Sequence, residues 1–310
     1  MIGRLTSSAD SAPSIGVAYS GGADSTALLL AAHCLWPDRV HALHIHHGLQ
    51  AAADDFVRVC TLTCDRLAVP LTVLHVDARP AKGDSPEDAA RQSRYVALSQ
   101  AAKSAGLCGV LLGQHADDQV ETLLLALSRG AGLPGLASMA SMFERGSMAF
   151  YRPLLHTPAK ELRTWLAANH HPFVDDPSNT DERYTRNRIR ARLMPALAEA
   201  FPQFRQTFSR SAQHAAQAQL LLNELADQDL SATGQPPAIK ALQQLSPARQ
   251  ANVLRRWLKK THEAAPSTAQ LAQLLKQIKA CTTRGHQIDL KVAAGQVKRL
   301  GETLVYEENL

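Results

Sequence analysis

Short apolar runs and longer stretches of helix-forming residues follow one another through the first half of the chain. Ile15-Gly-Val-Ala18, Val40-His-Ala-Leu-His-Ile45, Leu71-Thr-Val-Leu-His-Val76 and Gly109-Val-Leu-Leu112 read as short strands. Between and after them, residues 26–32, 54–67, 86–105 and 118–127 have the composition and spacing of helices. Strands alternating with helices predict a doubly wound parallel α/β sheet with helices on both faces, and ligands bind such sheets beyond the carboxyl ends of the strands. Further on, the pattern predicts a helix over 158–168, a long Ala-, Gln- and Leu-rich helix over 203–229, and a linker, Ser231-Ala-Thr-Gly-Gln-Pro-Pro237. Helices over 247–260 and 267–279, then alternating runs at 287–290, 296–300 and 303–306, read as a small α+β module. The expected organisation is an α/β domain over 1–200, a long helix and linker over 201–236, and a small basic domain over 237–310.

The polar segment Ser20-Gly-Gly-Ala-Asp-Ser25 falls where the first strand turns into the first helix. A helix N-terminus presents unpaired N–H groups at the positive end of its dipole, so a phosphate placed there gains several hydrogen bonds at once. Gly21 and Gly22 allow a sharp turn and close approach, and Ser20 and Ser25 add hydroxyl donors. Asp24 would repel a phosphate; it either faces a divalent cation such as Mg²⁺ or caps the helix. Neither the Walker loop, which needs a Lys after the glycines, nor Gly-x-Gly-x-x-Gly fits.

Three further clusters stand at predicted strand ends or on the helices between strands. His44-Ile-His-His-Gly-Leu49 follows the second strand and offers imidazoles and a turn. Arg91, Arg94 and Tyr95 share one helical face, where Arg91 would meet either Glu87 or a phosphate. Gly113-Gln-His-Ala-Asp-Asp-Gln-Val-Glu-Thr122 gathers Asp117, Asp118 and Glu121 beside His115 at a helix start, a set suited to capping, to Mg²⁺, or to an ammonium group. Beyond it, Ser128 to Ala137 reads as a Gly-rich loop carrying Arg129. A polar turn from Phe173 to Asp181 then leads into Arg183-Tyr-Thr-Arg-Asn-Arg-Ile-Arg-Ala-Arg192. Its five arginines cover more than one helical face, which suits a phosphate backbone.

Charge sharpens this division. The 310 residues carry a net +5, but residues 1–150 hold 11 Lys and Arg against 14 Asp and Glu, whereas residues 151–310 hold 22 against 14. The second half is therefore the expected nucleic-acid face, including the helix over 247–260, whose Arg249, Arg255, Arg256, Lys259 and Lys260 look unopposed. Cys34, Cys60, Cys64, Cys108 and Cys281 are scattered and read as reduced thiols, with Cys60 and Cys64 buried on one helical face. No signal core or membrane-length apolar run is present in the sequence, so a cytoplasmic protein without a membrane partner is expected.

The Ser-Gly-Gly-x-Asp-Ser loop resembles that of the PP-loop ATP pyrophosphatases. With His44 to Leu49, His115 to Thr122, Arg129 to Leu136, Arg152 to Leu155 and Asp175 to Arg190 in this order, the chain resembles the tRNA(Ile)-lysidine synthases, and residues 238–300 do so more weakly. His46 stands where the family carries Asn. The chain reads as a short form that ends before a further C-terminal domain of longer members.

The resemblance implies an adenine nucleotide alpha hydrolase-like fold that binds ATP on Ser20, Gly21, Gly22, Ala23, Asp24, Ser25 and His46, with Mg²⁺ at Asp24 and Asp118. It implies Asp24, Arg91, His115, Asp117, Asp118 and Glu121 as the reacting set, and Arg129, Arg183, Arg186, Arg188, Arg190, Arg255 and Arg256 as tRNA contacts. The implied reaction joins L-lysine to the wobble cytidine of tRNA(Ile) bearing CAU through an adenylated base, with release of AMP and pyrophosphate; a homodimer is compatible with it. Sulfur transfer to tRNA and nucleotide-gated RNA binding without catalysis are the alternatives.

Overall fold

The computed structural model describes residues 13–46, 53–76, 86–175, 180–283 and 285–308, without the side chains of residues 53–54 and 86–90. His47 to Leu49 and Asp176 to Asn179, both within the motifs above, and the Glu87 side chain expected opposite Arg91 lie outside the described residues.

The chain forms two compact units, residues 1–213 and 214–310. The first is built on a six-stranded sheet of order β3-β2-β1-β4-β6-β5. Its elements are β1 (Ile15–Ala18), α1 (Ala23–Leu35), β2 (Val40–His46), α2 (Ala53–Leu67), β3 (Leu71–His75), α3 (Pro86–Ser104), β4 (Val110–Leu111), α4 (Ala116–Ser128) and α5 (Leu133–Leu136). β5 (Met142–Arg145), β6 (Met148–Tyr151), α6 (Ala159–Ala168), α7 (Thr185–Arg188) and α8 (Met194–Ala200) follow. All neighbouring strands run parallel except β5, which pairs antiparallel to β6.

The parallel strands carry β-branched and aliphatic side chains toward helices on both faces, as a sheet buried on two sides requires. On one face Val17, Tyr19, Leu28, Leu29 and Cys60 pack together; on the other Leu43, Leu98, Val110 and Phe150 do. Tyr95 meets Phe143 and Phe150 edge-on with ring centroids 5.4 and 5.2 Å away, tying α3 to the β5–β6 hairpin. That hairpin turns through Gly146 and Ser147, both with positive φ (55° and 59°), as a tight two-residue turn demands.

The long helix α9 (Phe204–Thr233) belongs to both units, and the boundary falls within it. The reading of 201–236 as a segment of its own meets a physical reason for this sharing. Phe204 is fully buried against Val120 and Met194 in the first unit, while Leu230 sits in the core of the second. The second unit continues with α10 (Ile239–Gln243), α11 (Pro247–His262), α12 (Thr268–Ala280) and an antiparallel sheet of β7 (Asp289–Val292), β8 (Gly295–Leu300) and β9 (Thr303–Glu308). Leu242, Leu254, Trp257 and Leu274 fill its core.

Among the described residues no helix is long and apolar enough to cross a membrane.

Candidate active site

The loop after β1 is held from behind by hydrogen bonds that leave the start of α1 open. Ser20 N–H donates to Ser25 Oγ at 3.1 Å, the two serine hydroxyls lie 3.0 Å apart, and Ser25 Oγ donates to the Gly22 carbonyl. Val174 N–H reaches the Gly21 carbonyl, so the segment after α6 braces the same turn. Gly22 takes the N-cap position and supplies no side-chain cap, leaving the first turn without a side-chain partner for its N–H groups. Gly21 has φ +85°, and a Cβ there would stand 3.2 Å from Cys60 Sγ, so the turn needs glycine twice over. Gly113 is as tightly placed: its Cβ would meet the Asp24–Ser25 backbone at 3.3 Å, which brings the end of β4 directly against the loop.

At the end of β2, His44 is buried and its Nδ1 lies 2.9 Å from the Tyr19 carbonyl. A carbonyl only accepts, so the proton of the neutral ring is on Nδ1; burial favours that neutral form by lowering the His44 pKa. His44 is thus a brace for the loop. His46 follows on the same strand and packs on His75 of β3, ring centroids 4.7 Å apart.

His115 caps α4. Its Nδ1 accepts the Asp118 N–H at 3.3 Å while Asp118 Oδ2 accepts the His115 N–H at 3.0 Å, a reciprocal capping box. With Nδ1 accepting, the neutral ring carries its proton on Nε2, which points at Asp24 Oδ2, 3.5 Å away. Burial opposes charge on this ring, but Asp24, Asp118 and Asp117 outweigh it and raise the His115 pKa above its ordinary value. His115 therefore stands among three carboxylates, Asp24 on its Nε2 side and Asp118 and Asp117 on its Nδ1 side. The other Asp24 oxygen, Oδ1, is buried and meets no donor.

The remaining acids of α4 are already engaged by arginines from the following segment. Asp117 accepts the Ala159 N–H at 2.8 Å and Arg205 Nε at 2.7 Å. Burial pushes its pKa up, yet Arg205 and the Ala159 N–H hold it below the ordinary carboxylate range. Glu121 is completely buried and accepts two bonds from Arg190, 2.9 and 3.2 Å; Arg190 also approaches Asp118 Oδ1 at 3.6 Å. Burial keeps the Glu121 pKa raised in spite of that pairing. Periodicity placed these acids together, but it gave no sign of Arg205, which starts α9, or of the Ala159 N–H at the start of α6. Buried Arg152 was missed as a site-builder too: it bonds the Gln114 side chain at 3.0 Å and the Ala140 carbonyl at 2.7 Å, and lies over Phe143.

Arg91 is exposed on α3, its guanidinium 5.9 Å from the Tyr95 ring centre, and Arg129 is exposed at the end of α4. Along α7 and the π-helical turn Ile189–Leu193, Arg183 is paired with Asp181 and Arg192 with Glu182, Arg190 turns inward to Glu121, and Arg188 is exposed with Thr185 as its partner. Arg186 is half-buried and close enough to Glu121 to act on its charge. In the second unit the reading of α11 as unopposed is corrected. Arg249 pairs with Asp229, and Arg256 and Lys260 pair with Asp227, both acids coming from α9. The two helices share a face that a linear charge count cannot see. Arg255 and Lys259 are exposed.

The chain as a whole matches known proteins closely. Residues 2–197 match the PP-loop domain family and residues 238–304 the TilS substrate binding domain. The tRNA(Ile)-lysidine synthase of Polaromonas naphthalenivorans (strain CJ2) is 68% identical over 294 residues, covering 95% of this chain and 89% of the relative. The chain belongs to the tRNA(Ile)-lysidine synthase family. Its place there makes it one of the PP-loop ligases that use ATP. The lysidine synthase of Burkholderia pseudomallei (strain K96243) is 42% identical over 273 residues, 86% of this chain, which spans only 56% of that relative. In fold, the U34-tRNA thiolase NcsA from Methanococcus maripaludis superposes with a TM-score of 0.56 at 13% identity, over 65% of this chain and 72% of the thiolase.

Proposed function

We propose that the chain ligates lysine to C2 of the wobble cytidine of a CAU-bearing tRNA(Ile), by way of an adenylated cytidine, with release of AMP and pyrophosphate. The observation that carries the reading is the open α1 N-terminus on its Gly21–Gly22 turn, faced by His115 and by an Asp24 carboxylate with one unpartnered oxygen. ATP phosphates would lie on Ser20 to Ser25, where backbone N–H groups and the helix dipole offset their charge.

The residues present fit Mg²⁺. Among the described residues no three His, Cys, Asp or Glu side chains gather as a metal cage, and Mg²⁺ is commonly held by one or two carboxylates together with substrate phosphates. The buried Asp24 Oδ1 would be one such ligand and Asp118 the other; bound there, Mg²⁺ would neutralise charge on the departing pyrophosphate.

The cytidine O2 would attack the α-phosphorus as pyrophosphate leaves, and lysine's amine would then displace AMP at C2. Asp118 and Glu121 offer the negative charge that lysine's ammonium meets, and His115, held between Asp24 and Asp118, keeps those two carboxylates in place. Rate would come from positioning and electrostatics, with no covalent bond to the protein. A cysteine-based sulfur transfer is the weaker reading: Cys60 and Cys64 are buried, their thiols pushed up to about 12 by burial, and exposed Cys34 and Cys108 lie near the amino ends of the central strands, opposite the Ser20–Ser25 turn.

The test is incubation with ATP, Mg²⁺, labelled lysine and a tRNA(Ile) transcript bearing CAU. ATP-dependent label on the RNA, lost when the wobble cytidine is changed, is the expected result. ATP conversion to AMP without retained label would redirect the reading to another nucleophile, and no turnover would end it.

A further inference from the structure

Resting on the lysine and RNA assignments just proposed, we infer that Arg190 is a latch: it holds Glu121 and Asp118 closed to cations until an RNA phosphate draws it away, so RNA and lysine bind with positive coupling.

Arg190 has two faces. Toward the interior it makes two hydrogen bonds to the fully buried Glu121 and stands 3.6 Å from Asp118. Toward solvent its side chain is 43% exposed, in a stretch where Arg186, Arg188 and Arg192 follow one another with no acid among them. The backbone that carries it, Ile189–Leu193, is a π-helical turn, whose looser hydrogen bonding is frequent at functional positions and gives the side chain room to be re-aimed.

A guanidinium binds carboxylate and phosphodiester with the same planar fork, so the two compete for it on equal chemical terms. If a phosphate captures Arg190, Glu121 is left as a buried carboxylate with its principal counter-charge gone. That state is unfavourable, and a primary ammonium is the group that relieves it. Each ligand therefore lowers the cost of the other, and by linkage the enhancement is equal in both directions. The chain's own guanidinium plays the part of the substrate's cation in the absence of RNA, which also keeps free amino acids from occupying the site unproductively.

Equilibrium dialysis of labelled lysine against the full chain, with and without a CAU anticodon stem-loop RNA, tests this. The RNA is expected to tighten lysine binding roughly 5- to 150-fold, the usual range of such coupling. In Arg190→Gln the RNA-free affinity for lysine should rise toward the RNA-bound value and the RNA effect should vanish. A residue that merely supports the site would instead weaken lysine binding when replaced. Arg190→Lys, which keeps the charge but loses the fork, covers the case in which the Gln variant does not fold; its RNA enhancement should shrink while the fold is retained. Unchanged or weakened RNA-free lysine binding in Arg190→Gln, or an RNA effect of undiminished size in either variant, overturns the latch. RNA-dependent exchange of pyrophosphate into ATP, measured without lysine, separates the two levels: if it is present while lysine binding ignores RNA, the latch alone fails, and if it is absent the functional reading fails with it.

Discussion

Asp24 and His115 depend on one another through a single contact, and their charges give it a pH signature. The carboxylates around His115 raise its pKa, so their contribution to stability is fully present below the ordinary histidine value and is lost as pH rises through the raised one. Asp24→Asn should therefore lower the His115 pKa, seen by NMR titration of the ring, and should destabilise the protein more at pH 5 than at pH 8. If Asp24 also contacts Mg²⁺, the same variant loses ligation at any pH. Gly21 is a backbone case. Alanine there would face φ +85° and the Cys60 sulfur at 3.2 Å, a cost of ~1–2 kcal/mol, and because the strain sits in the turn proposed to hold the ATP phosphates, KM for ATP should rise as well. A Gly21→Ala variant with native melting temperature and KM would refute this account of the turn.

At the scale of elements, the site is assembled where α4 meets the segments that follow it. Strand ends and the α4 motif were legible because periodicity and turn chemistry are local: β1, β2, β3 and the Asp-Asp-Gln-Val-Glu run are found where alternation and capping residues place them. The β5–β6 hairpin was not read from the sequence, although Gly146-Ser147 between two alternating runs was a usable signal. Partners distant in sequence left no such signal. Nothing in the linear pattern couples Asp117 to Arg205, Glu121 to Arg190, or Asp227 to Arg256. The first of these pairs can be tested directly: Asp117→Ala leaves Arg205 without its counter-charge and the Ala159 N–H without its acceptor, and should cost up to about 3 kcal/mol in chemical denaturation. The Asp227–Arg256 pair between α9 and α11 is more exposed and correspondingly weaker. Arg256 and Lys260 hold the Asp227 pKa down at about 2, so its contribution is present above the ordinary aspartate value and fades only as pH falls toward 2. Asp227→Asn should lose no more than about 1 kcal/mol at pH 7, and the difference from the parent should vanish in acid.

For the molecule as a whole, two cores imply two separable stabilities. Trp257 is 2% exposed at the centre of the second unit, and Trp257→Ala should cost about 3–5 kcal/mol there. Calorimetry should show the loss in the second unit, while the PP-loop unit keeps its transition. The uneven charge of the two halves carries a further expectation for RNA binding. Replacing exposed Arg188 by Ala should weaken binding to all RNA sequences alike and reduce the slope of log affinity against log salt by about 1. A sequence-selective loss would instead make Arg188 a base reader.

The first turn of α9 has a practical consequence for anyone who would cut this protein into parts. A fragment ending at residue 200, where the α/β pattern suggests a natural stop, would retain every strand and loop described for the first unit. It would nonetheless lack Phe204, the plug behind Val120, and Arg205, the counter-charge of Asp117. Such a fragment would carry a defect at the proposed reaction centre that no inventory of motifs would foresee, and inactivity measured on it would say nothing about whether the second unit takes part in catalysis.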